Sequence, residues 1–294
     1  MKQYIRTKLL KRANELAFKI ELIKTPMKTV EDVKEMTKQT IVHRELVFIC
    51  QDIIMLDNPK YILASNYGIK LKITLEILNN KIHHKVAKLS SNAIEVLYVL
   101  TELSDETYIV GGAVRDMLID TIPKDVDFVT DTDMDIIIEK FKSLGYNVKE
   151  AGKAFKVIIV AKGNEQFEIA NFRKDGVYLD GRRPESVEIG TIEEDAFRRD
   201  FTVNSLFWNH KHGLVDPTFQ GIDDVISRTL RYIGKPEDRI QEDFLRVWRF
   251  YRFIQKGFTP APKDLKSTRR LFNEVYKNIE PERVRLEIEK IVNI

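Results

Sequence analysis

The sequence predicts an α+β protein in which a mixed α/β unit lies between two helical segments. Apolar residues recur with three- and four-residue spacing up to about residue 100 and again after residue 223, which is typical of amphipathic helices. Between these segments, short β-rich runs are separated by glycine turns and capped helix starts, which is typical of a mixed sheet. We therefore expect a helical domain over residues 1–100, a mixed-sheet head over 101–222 and a helical segment over 223–294.

The first hundred residues carry the helical pattern in three stretches. Apolar side chains follow the spacing of one helix face over residues 9–20, 45–54 and 69–78, with breaks at Pro26 and Pro59. No obvious catalytic group lies in these stretches. We expect this domain to bind RNA or to serve as a packing or oligomerisation element.

Composition limits the classes of protein to which the chain could belong. It has 294 residues, of which 43% are hydrophobic, and no apolar run approaches the ~18 residues that span a bilayer. The N-terminal stretch has neither the apolar core nor the cleavage site of a signal peptide. Cys50 is the only cysteine, so an intrachain disulfide is impossible. We expect a cytoplasmic protein with no membrane partner.

The net charge of +3 conceals three regions of opposite sign. Residues 1–100 carry 17 basic and 10 acidic side chains, residues 101–224 carry 15 and 25, and residues 225–294 carry 16 and 10. An acidic middle between basic flanks suits a metal site with polyanion-binding surfaces on either side. Solvated helix faces would give the same pattern, so charge alone leaves both interpretations open.

The central region predicts a short-strand architecture with defined turns. Tyr108 to Val110 reads as a strand that ends in the Gly111-Gly112 turn, and a helix follows. A second strand is expected over 126–129 and a helix over 134–144. Two β-rich runs, 155–160 and 166–171, predict a hairpin around Gly163.

Two carboxylates at the start of the second predicted strand point to metal chemistry. Residues i and i+2 of a strand face the same side, so Asp125 and Asp127 would aim at one spot. Their mutual repulsion calls for a divalent cation, and Mg²⁺ suits carboxylate oxygens. The Gly111-Gly112 turn would let backbone N–H groups approach a phosphate closely.

These motifs together resemble the class II tRNA nucleotidyltransferase and bacterial poly(A) polymerase family of the polymerase-β-type nucleotidyltransferase superfamily. The resemblance spans about residues 105–294 in family order, which is far more specific than any single motif. The matching segments are Gly111-Gly112-x-x-Arg115-Asp116, Lys124-Asp125-x-Asp127, Asp195-x-x-Arg198-Arg199-Asp200-Phe201-Thr202-Val203-Asn204, Asp216-Pro217 through Asp223-Asp224, Glu242-Asp243-x-x-Arg246 and Pro281-Glu282-Arg283.

The resemblance implies a polymerase-β-type head, a helical neck and a set of site residues. Asp125 and Asp127 would be catalytic and would hold two Mg²⁺ ions, with CTP and ATP as substrates. Glu168 would either join them as a third carboxylate or orient an arginine such as Arg173. The residues expected at the phosphates and sugar are Gly111, Gly112, Arg115, Asp116, Arg199, Asp200, Asn204, Arg249 and Arg252.

Base selection in the resembled family falls, by position, on Asp243 and Arg246. Asp243, Arg246, Arg249 and Arg252 are three residues apart, which on one helix would form a slowly drifting stripe. Aspartate accepts hydrogen bonds and arginine donates several, so the pair could read the edge of a base. A surface ladder in which acidic neighbours neutralise the arginines is the alternative.

The resemblance leaves the RNA product to be decided. The strand that begins near Ala154-Phe155 is of the tRNA nucleotidyltransferase type, because it lacks the arginine-rich pattern of bacterial poly(A) polymerases. We therefore expect CCA addition to tRNA, with poly(A) addition as the alternative. A non-catalytic RNA-binding protein or one subunit of a split enzyme is a further alternative.

Members of the resembled family continue past the neck into a helical body and tail that grip tRNA. Because this sequence ends at Ile294, near the end of the expected neck, we expect body and tail to be absent from it, and it carries about 100 N-terminal residues that the resembled family lacks. We expect residues 1–100 either to supply the grip on RNA or to pack against another copy or a second subunit.

Overall fold

The computed structural model describes residues 66–150, 155–176, 184–277 and 279–292. The chain divides into two compact units, Met1–Ile82 and His83–Ile294. Most of the helical domain predicted for residues 1–100 lies outside the described residues, which begin with helix α1 (Asn66–Val86). Helix α2 (Ser91–Leu103) belongs to the second unit, so this unit starts earlier than the boundary predicted at residue 101.

The head contains a succession of short strands and helices. Its elements in chain order are β1 (Tyr108–Val110), α3 (Gly112–Leu118), β2 (Asp127–Thr130), α4 (Met134–Ser143), β3 (Asn147–Lys149), β4 (Val157–Lys162), β5 (Glu165–Asn171), β6 (Arg173–Asp175), β7 (Val187–Ile189), α5 (Ile192–Phe197), a 3₁₀ turn (Thr202–Asn204), β8 (Phe207–Asn209) and β9 (Gly213–Val215). The predicted strand at Tyr108, the hairpin around Gly163 and the helix near residue 134 are all present.

A seven-stranded mixed sheet organises the head. Its strand order is β3-β4-β5-β2-β1-β8-β9, and β6 and β7 form a separate antiparallel pair. Strands β2 and β5 run parallel, with Phe128 opposite Ile169, whereas the other neighbours in the large sheet are antiparallel. The predicted α+β class with a mixed sheet is therefore confirmed.

Apolar packing anchors the two central strands that lead to the cleft described below. Strand β1 is buried along its whole length, and β2 is buried except at its first residue, Asp127. Tyr108, Phe172 and Phe207 make edge-on or tilted ring contacts across this layer. The carboxylate of Asp127 thus emerges from the end of a fixed strand.

The C-terminal segment is helical, as predicted. Its elements are α6 (Gly221–Ile226), β10 (Thr229–Leu230), α7 (Pro236–Glu242), α8 (Arg246–Gln255), β11 (Thr259–Pro260), α9 (Pro262–Tyr276) and α10 (Pro281–Val292), with β10 and β11 forming a short parallel pair. No helix among the described residues is long and apolar enough to cross a membrane.

Aromatic contacts join the helical segment to the head. The ring of Phe201 lies 4.9 Å from that of Tyr232 and 5.3 Å from that of Phe253. Tyr232 stacks on Phe250 at 5.3 Å, and all four side chains are buried. Because α8 contributes two of these rings, its arginine-rich face is held beside the head by the aromatic core.

Candidate active site

The predicted site residues converge on one cleft of about 1160 Å³ in the second unit. Thirteen of the fourteen residues predicted from the sequence line it, whereas Glu168 does not. The lining comes from α3, the start of β2, the segment after α5, helix α8 and the exposed side of α10. Residues separated by more than one hundred positions in the chain therefore face a common space.

The Gly111-Gly112 turn brings the backbone close to the cleft. Gly111 has φ +66° and ψ −120°, and its N–H donates to the Leu206 carbonyl at 2.9 Å. A Cβ atom at Gly111 would lie 3.1 Å from Nη1 of Arg199 and 3.4 Å from the Asn204 carbonyl oxygen. Both the conformation and the tight space call for glycine here.

The two aspartates share the cleft, but only one of them lies on a strand. Asp127 is the first residue of β2, and Asp125 precedes the strand in a bend. The expectation that both belong to one strand is therefore wrong, because β2 begins its pairing only at Asp127, opposite Val110. Their common exposure to the cleft does not depend on that pairing.

Neighbouring charges and desolvation act on Asp127. Desolvation raises its pKa to about 6, and the charges of Glu168 and Asp125 add to the rise, whereas Arg199 opposes it. Glu168 lies on β5, the strand that runs parallel to β2, one residue before the partner of Phe128. Negative charge at this end of the two strands is thus only partly compensated by the protein.

The donor set fits a divalent cation that is completed by a ligand. Among the described residues, no three His, Cys, Asp or Glu side chains are arranged to hold a metal by themselves. Mg²⁺ is commonly bound by one or two carboxylates together with substrate phosphates. Asp125 and Asp127 supply hard oxygen donors, and a cation would offset the negative charges of Glu168 and Asp125, which add to the effect of desolvation on the pKa of Asp127.

A buried carboxylate orients two arginines at the cleft. Asp195 is fully buried, and one of its oxygens accepts from Nε and Nη2 of Arg198 at 2.9 and 2.6 Å. Its other oxygen accepts from Nε and Nη2 of Arg199 at 3.0 and 2.8 Å. The spacing i, i+3, i+4 around the end of α5 makes this double fork possible.

Asn204 connects the glycine-turn helix to the segment after α5. Its Oδ1 accepts from Nη1 of Arg115 at 2.6 Å, and its Nδ2 donates to Asp200 Oδ1 at 3.0 Å. Arg115 also forms an ion pair with Asp116 at 2.7 Å and lies over the ring of Phe253. Four predicted site residues are therefore held in one hydrogen-bonded chain.

The predicted stripe of Asp243 with three arginines is only partly a helix face. Helix α7 ends before Asp243, whose φ of −146° and ψ of 106° are extended, and α8 begins at Arg246. The Asp243 side chain accepts from the Leu245 N–H at 3.1 Å, which competes with a continuous helix. Asp243 therefore lies outside the helix that carries the arginines, although it lines the same cleft.

The three arginines of α8 have carboxylate partners. Arg246 is buried and lies 2.6 Å from Glu242, Arg249 lies 2.8 Å from Asp200, and Arg252 lies 3.3 Å from Glu287. Asp243 itself pairs with Arg283 at 3.1 Å. These ion pairs match the alternative to base selection, in which acidic neighbours neutralise the arginines. Each of the three arginines nevertheless also lines the cleft.

Several contributors were not among the predicted site residues. Asp195 stood in the quoted arginine motif without a role, and Arg239 and Lys256 carried no distinctive spacing. Arg173, considered as a partner of Glu168, instead pairs with Asp175 at 3.3 Å and donates to the Phe155 carbonyl. Three further basic residues, whose sequence positions suit contacts to triphosphate or RNA or simply solvated loops, lie outside the described residues: Lys153, Arg182 and Arg183.

Comparison with protein families and curated sequences identifies related proteins. Residues 107–231 match the family model of the poly A polymerase head domain. The CCA-adding enzyme of Bacillus subtilis (strain 168) is 36% identical over 207 residues, which cover 70% of this chain and 51% of that protein. The CCA-adding enzyme of Streptococcus pneumoniae serotype 19F (strain G54) is 35% identical over 202 residues, covering 68% and 49%.

Solved structures give the same relationship. The Bacillus stearothermophilus CCA-adding enzyme in complex with CTP matches with a TM-score of 0.59 and 28% identity, covering 69% of this chain and 49% of that one. A tRNA nucleotidyltransferase complexed with a primer tRNA and an incoming ATP analog matches with a TM-score of 0.54 and 27% identity, covering 67% and 58%.

The chain spans about half the length of the curated relatives it matches. The matched part contains the glycine turn, the two aspartates and the arginine motif of the cleft. The family predicted from the order of the sequence motifs is the one that the comparisons identify. Over residues 107–231 this chain matches the poly A polymerase head domain, and over about two thirds of its length it is similar to CCA-adding enzymes.

Proposed function

We propose that this chain carries the catalytic centre of a template-independent nucleotidyltransferase that adds CMP and AMP, taken from CTP and ATP, to the 3′ end of tRNA. The main support is the meeting of Asp125 and Asp127 with the glycine turn and the arginines of two separate motifs in one cleft. The relatives named CCA-adding enzymes favour this product over a poly(A) tail.

In the proposed reaction, the RNA 3′ oxygen forms a bond to the α-phosphorus of the nucleotide, and the bond to pyrophosphate breaks. Asp125 and Asp127 would hold two Mg²⁺ ions, and the chemistry that such ions would supply is a lower pKa of the 3′ hydroxyl and stabilisation of the leaving oxygens. The hydroxyl proton leaves to solvent or to a basic group of the product. After desolvation, the charge of Glu168 is the next contribution that raises the pKa of Asp127, and it adds to the negative potential that a cation would neutralise.

The chain's own groups bind and orient the triphosphate. The Gly112 N–H would approach the phosphates, since that of Gly111 is bonded to the Leu206 carbonyl, and Arg115 and Arg199 supply positive charge. Asp116 and Asn204 bond to Arg115, and Asp200 in turn accepts from Asn204. Asp195 holds the Arg199 guanidinium. Catalysis would then come mainly from positioning and electrostatic stabilisation.

Base selection is assigned to Asp243 and Arg246, with Arg249 and Arg252 facing the phosphates. The carboxylate of Asp243 accepts hydrogen bonds, and the guanidinium of Arg246 donates them, so together they can match the edge of a cytosine or an adenine. For Arg249 and Arg252 to bind phosphate, the phosphate must compete with Asp200 and Glu287, their present partners.

Incorporation assays test this function directly. Purified protein, Mg²⁺ and tRNA lacking its terminal CCA are combined with labelled CTP and ATP, separately and together. We expect CTP and ATP to be incorporated and extension to stop after CCA. Long products from ATP alone would instead indicate poly(A) addition, and binding without incorporation would indicate an RNA-binding subunit.

Substitution of the paired aspartates tests the catalytic assignment. We expect Asp125→Asn and Asp127→Asn each to abolish incorporation, because either change removes an anionic metal ligand from the cleft. The exposed Asp131→Asn, outside the cleft, is the matched control and should retain activity. Circular dichroism and thermal unfolding establish that the variants fold, and an active, folded Asp125→Asn protein would contradict the metal assignment.

A further inference from the structure

Three arginines of the C-terminal helical segment form hydrogen bonds or an ion pair with one short stretch of the head. The stretch covers residues 197–200, between α5 and the 3₁₀ turn, and each arginine contacts a different residue of it. The contacts are Arg239 Nη1 to the Phe197 carbonyl oxygen at 2.7 Å, Arg246 Nη2 to the Arg198 carbonyl oxygen at 2.9 Å, and Arg249 Nη2 to Asp200 Oδ2 at 2.8 Å.

Glu242 ties two of these arginines to each other. One of its carboxylate oxygens pairs with Nη2 of Arg239, and the other lies 2.6 Å from Nη1 of Arg246. Arg246 Nη1 also donates to the main-chain carbonyl of Arg239 at 2.9 Å. The side chains of Arg239 and Glu242 are less than one-fifth exposed, and Arg246 is buried, so little solvent screens the network.

The gripped stretch positions the arginines of the head. Arg198 and Arg199 point to the cleft from it and are fixed by the double fork of Asp195. Arg246 faces the same cleft from the other side of the contact. The contact between the helical segment and residues 197–200 of the head thus sets the distance between Arg199, which is assigned to the phosphates, and Arg246, which is assigned to the base.

Arg239 holds this contact without lining the cleft. It is outside the set of cleft residues, yet it donates to the head through one nitrogen and pairs with Glu242 through the other. Only a planar guanidinium can serve both partners in this fixed geometry. Any movement of Glu242 is passed to Arg246 through the shared carboxylate and the Arg239 carbonyl.

We propose that Arg239 is a positioning residue for nucleotide selection: it fixes Arg246 relative to residues 197–200 and so sets how CTP and ATP are discriminated. This inference rests on the proposed function. A misplacement of about 1 Å can change a rate by about a hundredfold, so a residue outside the cleft can act on selection through geometry alone.

The experiment compares Arg239→Ala and Arg239→Lys with wild type and with Arg270→Gln as the matched control. Arg270 of α9 pairs with Glu237 of α7, the helix that carries Arg239, but its side chain is 64% exposed and is not among the residues that line the cleft. Values of kcat and KM are measured for CTP and for ATP, on tRNA lacking CCA and on tRNA ending in CC, and thermal unfolding is measured in parallel.

We expect Arg239→Ala to reduce the discrimination between CTP and ATP by at least about tenfold on each RNA. Arg239→Lys should recover part of that discrimination, because an ammonium can retain one partner but not the planar fork. Arg270→Gln should match wild type. Such a pattern, in folded proteins, supports positioning rather than general stabilisation.

Unchanged discrimination in an active, folded Arg239→Ala protein overturns the inference, even if the melting temperature falls. If Arg239→Ala does not fold, Arg239→Lys becomes the test. Discrimination between CTP and ATP equal to that of wild type in Arg239→Lys would then also overturn the inference. A wild-type protein that incorporates neither nucleotide overturns the proposed function and this inference with it, so the two failures are distinguishable.

Discussion

Asp195 shows how a single residue can keep its charge in the interior of this protein. Burial alone would raise its pKa, but the guanidinium groups of Arg199 and Arg198 lower it below the usual value of 3.8. A carboxylate with a lowered pKa stabilises the fold above its unfolded-state pKa and loses that contribution as pH falls through the folded-state pKa. Its contribution is therefore complete at neutral pH.

We predict that Asp195→Asn destabilises the protein by about 3 kcal/mol or more at pH 7, because two buried guanidinium groups lose their counter-charge. The difference from wild type should shrink as the pH falls below 3.8 and the wild-type carboxyl becomes protonated. Urea unfolding at a series of pH values measures this. Asp131→Asn, an exposed change outside the cleft, is the control, and an equal loss at all pH values would contradict the prediction.

Gly111 is the second residue whose role can be isolated. Its φ of +66° with ψ of −120° is unfavourable for a side chain, and an added Cβ would meet Arg199. We predict that Gly111→Ala costs about 1–3 kcal/mol and raises KM for the nucleotide, because strain and displacement of Arg199 act together.

Gly145→Ala provides the matched control for Gly111. Gly145 also has a positive φ, of +79°, but no atom lies within 4 Å of the Cβ position. This change should cost about 1 kcal/mol and leave KM for the nucleotide unchanged. Equal effects of the two substitutions on KM would show that the close approach of Gly111 to Arg199 does not affect nucleotide binding.

At the scale of elements, helix α10 is tied to α8 by a buried ion pair. Glu287 is 3% exposed, lies 3.3 Å from Arg252 and also pairs with Lys290 on its own helix. Leu286, Glu289 and Lys290 of α10 line the cleft. The pairing therefore fixes both a wall of the cleft and the orientation of an arginine on α8.

We predict that Glu287→Gln destabilises the protein by about 1–3 kcal/mol, because Arg252 loses its buried anionic partner. Chemical unfolding measures the effect. On the same helix, Glu282→Gln removes the exposed pair with Arg285 and should change stability by less than about 1 kcal/mol. A larger loss in the exposed variant than in the buried one would contradict this account of α10.

At the scale of the whole molecule, the charge pattern divides the chain into a basic N-terminal segment, an acidic head and a basic C-terminal segment. The excess of basic over acidic side chains in residues 1–100 contrasts with the acidic head, and the second compact unit starts at His83. A basic segment can hold an RNA backbone through phosphate contacts, whose strength depends on counterion release. The described residues that line the cleft all belong to the second unit.

We predict that a protein comprising residues 83–294 incorporates nucleotides but binds tRNA more weakly, with a shallower dependence of affinity on salt. Binding is measured at several salt concentrations, and incorporation is measured with saturating RNA. Unchanged affinity and an unchanged salt slope would assign residues 1–82 to packing or assembly instead. A cut at residue 95 would remove the first turn of α2 and the buried Ala93, whereas the cut at residue 83 keeps α2 but falls inside α1 and removes the buried Ile82, so thermal unfolding of the fragment is the control.

By itself, the sequence determined the α+β class, the family and the members of the candidate site, because those features are recorded in local spacing and in the order of motifs. Strand β1, the glycine turn and the first carboxylates lie within about twenty residues of one another. Short-range patterns fix such segments, since turns, caps and strand pairs depend mainly on neighbours in the chain.

Only the tertiary structure decided which charged groups meet. Arg115 and Asn204 are 89 residues apart, and Arg246 reaches the carbonyl of Arg198 across 48 residues. The break between helices α7 and α8 at Asp243 likewise depends on its hydrogen bond with the Leu245 N–H and on its ion pair with Arg283. The spacing of residues in the sequence reveals neither contact. A charge finds its partner through packing of the whole unit, so its position in the sequence does not specify that partner.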